Sequence, residues 1–184
     1  MDPFSAEWFL GLFVFIIPAY FANSSAVYFN TRIHGRKDPP IDMGIRFFDN
    51  KPLIGSKGIE GMVAAILFGT FVGVVIGWMG FRPLGLSFDQ WVTVSFFLSL
   101  GTHFGDKLGS FLKRRLDIEG GEKFEYFDQL GFLVCALAFA SIAEPQVAVS
   151  LGPTGYVVLI ALSYLVHRGA NIVGYWLGLK NVPW

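Results

Sequence analysis

Hydrophobic residues occur along this chain in five long runs that are separated by short polar segments. Each run has about 20 residues or more, which is the length that an α-helix needs to cross the hydrocarbon core of a bilayer. The pattern therefore predicts an all-α integral membrane protein with five transmembrane helices. Their approximate bounds are residues 8–29, 59–81, 88–112, 124–143 and 155–179.

The composition supports a membrane location for most of the chain. Hydrophobic residues make up 53% of it and charged residues 15%, whereas soluble domains carry about 25% charged residues. Helices of this length leave little of the 184 residues for a separate soluble domain, so we expect a single membrane-embedded domain, 1–184. The lone cysteine, Cys135, lies in an apolar run, which excludes a disulfide framework and favours a packing role. The first run lacks the basic start and the cleavage pattern of a signal peptide, so we interpret it as a mature helix.

The basic residues of the loops lie almost entirely on one side of the predicted membrane. Six lie between the first two helices, four between the third and fourth, and one after the fifth, against Arg82 alone on the other side. By the positive-inside rule, the N-terminus lies outside and the C-terminus in the cytoplasm, with two basic cytoplasmic loops. We therefore expect a multi-pass protein of the cell membrane. The basic residues on the cytoplasmic side are Arg32, Arg36, Lys37, Arg46, Lys51 and Lys57; Lys113, Arg114, Arg115 and Lys123; and Lys180.

Polar residues inside the third predicted helix share one face. The stripe consists of His103, Asp106, Ser110 and Lys113, which are spaced by three or four positions. At about 1.5 Å of rise per residue, Asp106 lies roughly 10 Å inside the basic end of the helix, where an unpaired carboxylate is costly. Asp128 enters the fourth helix from the same side, so the two carboxylates approach each other at similar depth. We interpret the pair as a candidate Mg²⁺ site that faces the cytoplasm.

Structural roles are open for each of these residues. Asp106 can form an ion pair with Lys107, with Lys113 or with a neighbouring helix. Asp128 lies in the first turn of its helix, where a carboxylate favours the helix dipole. His103 can be a packing residue whose ring is satisfied within the protein. The metal site is favoured because the two carboxylates occur together.

Three further segments carry polar residues toward the same cytoplasmic end. Consecutive polar residues in the first helix need partners, which interhelical hydrogen bonds or a ligand would supply. A turn-rich stretch of the first cytoplasmic loop offers lysines and backbone donors suited to phosphate, with a solvated turn as the alternative. An arginine inside the fifth helix needs an acidic group or a lipid phosphate. The candidate substrate-binding residues in these segments are Asn23, Ser24 and Ser25; Asp49, Asn50, Lys51 and Lys57; and Arg168; the third helix adds His103, Ser110 and Arg114.

Four motifs, taken in order, resemble a known family. They are "PAYFANSS", "DNKPLIG", "GDKLGSFLKRR" and "FDQLGF", and together they are similar to the archaeal CDP-archaeol synthases, relatives of the CDP-diacylglycerol synthases. The resemblance runs from about Pro18 to the C-terminal "GLKNVPW". The larger family's signature joins a Ser-x-x-Lys-Arg segment, matched by Ser110, Lys113 and Arg114, to an Asp-x-x-Asp pair that begins here at Asp128. This chain departs from the pattern at Gly131, where the family usually has the second aspartate.

The resemblance implies a reaction and its partners. A cytidylyl group passes from CTP to an isoprenoid ether-lipid phosphate with two geranylgeranyl chains, releasing pyrophosphate, in archaeal phospholipid biosynthesis. Mg²⁺ is the expected cofactor, the expected catalytic residues are Asp106, Asp128 and Lys113, and no nucleic acid is expected as a partner. A phosphate monoester has a second pKa of about 6, so the attacking lipid phosphate is largely a dianion and needs no general base. Catalysis then consists of aligning two anions and neutralising the leaving group.

The resemblance also ranks the three basic residues that end the third helix. The family signature covers Lys113 and Arg114, so we expect them to matter more for nucleotide use than Arg115. That third residue points away from the Asp106 stripe, and its long side chain can extend to the membrane interface.

Other functional classes are less well supported. A small membrane transporter also places charges inside helices, but a common sign of such folds is an internal repeat, and we find none in this sequence. Another lipid-headgroup transferase, of the CDP-alcohol phosphotransferase type, carries a DGxxAR pattern that this sequence lacks. A purely structural protein leaves the paired aspartates and the loop lysines unexplained.

Overall fold

The structure, a computed structural model, describes residues 4–33, 39–54, 58–118, 124–176 and 178. At residues 27, 28, 30–33, 125, 126, 128, 129, 170, 171 and 174 the description covers the backbone alone. Within these limits the chain forms five α-helices and no β-strand, so the predicted all-α fold is confirmed. A one-turn 3₁₀ helix, Pro83–Gly85, joins the second helix to the third. The α-helices are α1 (Ala6–Ile33), α2 (Ile59–Trp78), α3 (Phe88–Arg115), α4 (Glu125–Ala143) and α5 (Pro145–Trp176).

The third helix, α3, lies at the centre of the bundle. It packs against α1, α2 and α4, while α5 packs against α4. Glycines of α2 allow this close approach: a Cβ built on Gly69 would lie 2.7 Å from the Cβ of Ala22, and one built on Gly77 would lie 2.6 Å from Cδ1 of Trp91. Lipid tails are as apolar as the side chains, so helices in a membrane associate through such close packing.

The backbones of α3 and α4 touch over two turns. A Cβ built on Gly101 would lie 2.7 Å from the Cα of Ala136, and one built on Gly105 would lie 2.7 Å from the Cα of Phe132. A side chain at either glycine would therefore push the two helices apart. This contact fixes α4 beside the part of α3 that carries Asp106.

Polar residues on α3 face other helices. Ser95, Ser99 and Thr102 are fully buried, and each hydroxyl donates to the backbone carbonyl four residues earlier at 2.7 to 2.8 Å. These hydroxyl groups therefore have hydrogen-bond partners within α3, and the helix can bury them without partners from other helices.

Among the described residues, three helical stretches are long and apolar enough to cross a membrane: Ala6–Ala26, Ile59–Trp78 and Pro145–Gly169. A shorter apolar stretch, Leu130–Ala143, lies in α4. These stretches agree with a membrane protein. The passage of all five helices through the membrane, their orientation and the single-domain organisation stay predictions.

Local sequence explains where two of the helices begin. Ser87 caps α3: its side chain accepts from the backbone N–H of Gln90, whose side chain accepts from the backbone N–H of Ser87. In α5 the backbone breaks at Gly152, which has φ 56° and ψ 177°, and Pro153 opens the second part. The helix therefore begins at Pro145, ten residues before the predicted start at 155, because a short first part precedes the break.

Candidate active site

The polar stripe on α3 is present. His103 is buried, with 2% of its surface exposed, and Asp106 is half-buried one turn further on. Lys107 Nζ donates to Oδ2 of Asp106 at 2.9 Å, so the ion pair considered as an alternative for this carboxylate is formed. Ser110 Oγ donates to the backbone carbonyl of Asp106 at 2.9 Å, and the stripe ends at the half-buried Lys113.

The predicted metal ligands lie on the two helices that touch. Asp128 is in the first turn of α4, where the description covers its backbone. A Cβ built on Gly131, one turn later, would lie 3.8 Å from the carbonyl oxygen of Gly105, the residue before Asp106. The contact between α3 and α4 thus lies next to Asp106 on α3 and one turn from Asp128 on α4.

The chemistry of these residues fits Mg²⁺. The ion takes one or two protein carboxylates and completes its octahedral shell with water and substrate phosphates. Two aspartates on touching helices match that requirement. Among the described side chains, no three of His, Cys, Asp and Glu are grouped as metal ligands.

The loop between α1 and α2 folds on itself. Asp42 is buried, and its two carboxylate oxygens accept from the backbone N–H groups of Gly44 and Ile54, both at 3.0 Å. The "DNKP" turn closes where the N–H of Asn50 donates to the carbonyl of Phe47 at 2.9 Å. Asp42 thus joins the beginning of the segment 42–54 to its end, a role that the sequence interpretation missed. An aspartate two residues before a glycine in a loop is typical of such a side-chain turn and was the available signal.

This loop rests on the end of α3. Arg115 Nη1 donates to Asp49, and Arg115 Nη2 donates to the carbonyl of Pro52 at 2.9 Å. The Arg115 guanidinium carbon lies 4.8 Å from the ring centroids of both Phe47 and Phe111. Only 16% of the Arg115 side chain is exposed. The Arg115 guanidinium is therefore held by the loop on its edge and by two aromatic rings on its faces, contacts that the sequence interpretation did not predict. Its position relative to the membrane interface stays a prediction.

A second ion pair joins the same two segments. Lys51 Nζ donates to Oδ1 of Asp117, which lies just beyond α3. Asp117 has a φ of 56°, in the left-handed region, which turns the chain at the helix end. The predicted residues Asp49, Asn50 and Lys51 are thus brought to the basic end of α3.

The contact with Arg115 affects the charge state of Asp49. The hydrogen bond from the guanidinium lowers the pKa of the Asp49 carboxyl below its ordinary value. A lowered folded-state pKa means that the stabilising contribution is complete above the unfolded-state pKa and is lost as the pH falls through the lower value. The Asp49 carboxyl is therefore charged, and paired with Arg115, at neutral pH.

The other predicted residues have separate surroundings. Lys57 lies outside the described residues. On α1, Asn23 is half-buried and Ser24 is exposed, while Ser25 Oγ donates to the carbonyl of Ala22 in its own helix at 3.2 Å. On α5, Arg168 is exposed at the surface of the bundle.

An apolar groove runs between α1 and α5. Its cavity has a volume of about 210 Å³. At Tyr20 the groove meets polar groups: the hydroxyl donates to Ser163 Oγ at 2.8 Å, and the ring stacks on His167 with centroids 5.4 Å apart. The lining residues are Phe13, Ile16, Ile17, Tyr20, Phe21, Leu159, Leu162 and Val166.

Apolar helices long enough for a membrane, together with a charged loop that rests on the end of the most polar helix, are typical of a membrane protein with a polar site at one end of its helices. The family model described as CarS-like, CDP-archaeol synthase, matches residues 7–184. The chain belongs to this family.

Relatives of known type cover nearly the whole chain. The CDP-archaeol synthase of Pyrococcus horikoshii is 38% identical over 180 residues, covering 95% of this chain and 96% of the relative. That of Thermococcus kodakarensis is 40% identical, covering 94% of each chain. A solved structure of an intramembrane enzyme for archaeal membrane lipid biosynthesis is similar with a TM-score of 0.68 and 31% identity, over 86% of this chain and 91% of that one. The family resemblance seen in the motifs is confirmed.

Proposed function

We propose that this chain transfers the cytidylyl group of CTP to an isoprenoid ether-lipid phosphate, forming CDP-archaeol and pyrophosphate. Family membership over residues 7–184 supports the reaction. The observation that carries it in this chain is the docking of the "DNKP" loop onto the end of α3. The docking places Lys51 beside Asp117, four residues along the chain from Lys113.

The chemistry requires positive charge more than a base. An oxygen of the lipid phosphate attacks the α-phosphorus of CTP, and the bond from that phosphorus to the pyrophosphate oxygen breaks. The attacking phosphate is already largely a dianion at neutral pH, so no proton has to be removed. Lys51, Lys113 and Arg114 neutralise the phosphates and hold them in line for attack.

Mg²⁺ belongs to the same proposal. Asp106 and Asp128 would hold the ion, and when bound it supplies neutralisation of the nucleotide phosphates. Lys107 keeps the Asp106 carboxylate compensated within the apolar surroundings of α3. Because Asp106 and Asp128 would bind Mg²⁺, they do not pair with the loop lysine Lys51, which can bind the substrate phosphates.

The membrane arrangement follows from the charge distribution. All five helices cross the membrane, the N-terminus lies outside, and the basic loops face the cytoplasm, where CTP is found. The groove between α1 and α5 takes one isoprenoid chain of the lipid, since apolar side chains line it. A soluble nucleotide and a lipid phosphate then meet at the cytoplasmic ends of the helices.

Position-specific labelling of CTP tests the reaction. The purified protein is incubated with Mg²⁺, the ether-lipid phosphate, and CTP labelled at either the α- or the γ-phosphate. We expect the α-label in the lipid phase and the γ-label in water as pyrophosphate. The γ-label in lipid would indicate a kinase instead, and no lipid label from either form would contradict the proposal. ATP, GTP and UTP in place of CTP test the choice of base.

A further inference from the structure

Two ion pairs of opposite polarity join the first cytoplasmic loop to the end of α3. On the loop, Asp49 and Lys51 are two residues apart; at the helix end, Arg115 and Asp117 are also two residues apart. Asp49 pairs with Arg115, and Lys51 pairs with Asp117. We call these four residues the loop clasp. A shift of the loop by two residues would bring like charges together, so the charge order specifies one register.

The two halves of the loop clasp differ in exposure. The Arg115 and Asp49 side chains are 16% and 36% exposed, whereas those of Lys51 and Asp117 are 33% and 79% exposed. Arg115 also makes contacts that Lys51 lacks: a hydrogen bond to the Pro52 carbonyl, and two aromatic rings that cover its faces. The Arg115 half is therefore a fixed attachment, and the Lys51 half is a solvent-screened pair that opens at small cost.

We propose that Arg115 is a positioning residue for nucleotide binding, and that Asp117 is the counterion which Lys51 exchanges for the nucleotide phosphates. Arg115 fixes the loop on α3, so the Lys51 backbone keeps its place when its side chain leaves Asp117. This inference rests on the proposed use of CTP.

The geometry requires arginine in particular. Its planar fork donates in two directions, to Asp49 and to the Pro52 carbonyl, while both faces of the plane remain available to rings. A lysine at position 115 would retain the charge but lose the paired donors. A triphosphate carries more charge than one carboxylate, so it competes successfully for Lys51 against an exposed aspartate.

Nucleotide binding to the full-length protein tests the inference. Equilibrium binding of labelled CTP with Mg²⁺, without lipid, is compared with the KM for CTP in the transfer reaction. We expect Arg115→Gln and Arg115→Lys to weaken CTP binding about ten- to hundredfold, the range for hydrogen bonds to charged groups, with little change in the KM for lipid. Asp117→Asn should tighten CTP binding by a factor of about two to five, since the lysine no longer has to leave a carboxylate.

Two further variants keep the test decisive. Arg82→Gln, on the opposite side of the predicted membrane, is the matched control and should bind CTP like the wild type. Asp49→Asn removes the partner of Arg115, and its effect should not add to that of Arg115→Gln in the double variant, because both break the same contact. This variant also carries the test if Arg115→Gln fails to fold.

Each result decides a separate point. Unchanged CTP binding in folded Arg115→Gln and Asp49→Asn overturns the inference, as does an equal loss in Asp117→Asn, which would indicate a general electrostatic effect. Wild-type protein that binds CTP but labels no lipid contradicts the proposed reaction and leaves the positioning result standing. Wild-type protein that labels lipid while all variants bind CTP equally contradicts the inference alone.

Discussion

Three adjacent basic residues end α3, and their surroundings differ. Lys113 and Arg114 are half-buried in the last turn, whereas Arg115 is enclosed by the docked loop. Motif matching ranks Arg115 below its neighbours, since the family signature stops before it. Its partner Asp49 is 66 positions away in the chain, and several carboxylates are equally plausible partners from sequence. The contact depends on the folded loop, so the sequence alone does not predict it.

The Asp106 carboxylate is expected to be essential for turnover. Asp106→Asn keeps the side-chain volume and removes the charge, so the rate of cytidylyl transfer should fall by several orders of magnitude in folded protein. Transfer rates measured against Mg²⁺ concentration check this. Asp89→Asn, in the first turn of the same helix, is the matched control and should stay near the wild-type rate. Retained activity in Asp106→Asn would remove the metal site from the proposed mechanism.

Gly131 is expected to accept an aspartate. A Cβ at this position would lie 3.7 Å from Cδ1 of Phe127 and 3.8 Å from the Gly105 carbonyl oxygen, which are ordinary contact distances. Gly131→Asp should lower the Mg²⁺ concentration needed for half-maximal turnover or raise the turnover rate, because the new carboxylate shares the face of Asp128. Gly131→Asn has nearly the same size without the charge and should show no such gain. An unchanged or weaker metal requirement in Gly131→Asp would show that the second ligand lies elsewhere.

The helices themselves follow closely from the apolar runs. The predicted starts of α2 and α3 agree with the structure, and the start of α4 differs by one residue. The start of α5 differs because Gly152 breaks the helix, and a run of hydrophobic residues does not show whether a helix continues before such a break. Which helices pack together is harder to predict from the sequence than where each helix begins. The central position of α3 arises because its small and polar residues pack against three other helices.

The groove between α1 and α5 is expected to affect lipid use alone. Leu162→Trp places a larger ring in the groove, so the KM for the lipid phosphate should rise about tenfold or more, while the KM for CTP stays constant. Leu165→Trp is the matched control on the same helix, since Leu165 is 64% exposed and does not line the groove. Steady-state kinetics in mixed micelles separate the two constants. Equal effects of the two variants would indicate that the lipid chain binds elsewhere.

Across the described residues, charged side chains and exposed hydrophobic side chains lie in different regions, as the proposed pair of a soluble and a lipid substrate requires. Hydrophobic side chains such as those of Val149 and Trp176, 83% and 78% exposed, suit contact with lipid. Asp49, Lys51 and Arg115 gather instead at one end of α3. The hydropathy pattern indicates this division, since it separates apolar helices from basic loops. It does not indicate that the loop is folded, because the aspartate-to-glycine spacing predicts only the local turn at Asp42 and not its second bond, from the N–H of Ile54.

Thiol labelling in intact cells checks the orientation. In a Cys135→Ala background, Phe48→Cys lies in the first loop, and Met79→Cys lies in the turn after α2; the two native side chains are 100% and 63% exposed. A membrane-impermeant thiol reagent should modify Met79→Cys in intact cells and Phe48→Cys only after permeabilisation, because the proposed topology places the basic loops in the cytoplasm. The reverse pattern would invert the proposed topology and place the site outside.

The two ends of α3 are held by different chemistry. At the beginning, amide groups connect the helices: Gln90 Nε2 donates to Glu144 and to Gln146, both at 3.3 Å, and Gln146 Nε2 donates to the carbonyl of Leu84 at 3.4 Å. At the other end, the loop clasp consists of two ion pairs, each between residues 66 positions apart in the chain. Four groups form these bonds at the first end: the side chains of Gln90, Glu144 and Gln146, and the Leu84 carbonyl. Of these, Glu144 alone is charged.

Ionic strength therefore acts on one end of the molecule and hardly on the other. The screening length falls from about 8 Å at physiological salt to about 3 Å at 1 M, which weakens an exposed pair such as Lys51 with Asp117 far more than a covered one. At high salt, the loop would be held mainly by the Arg115 guanidinium, since it lies between two aromatic rings, donates to the Pro52 carbonyl, and is less exposed than Lys51. The same salt also screens the attraction between Lys51 and a triphosphate, so the salt dependence of CTP binding is expected to reflect the balance of these two interactions.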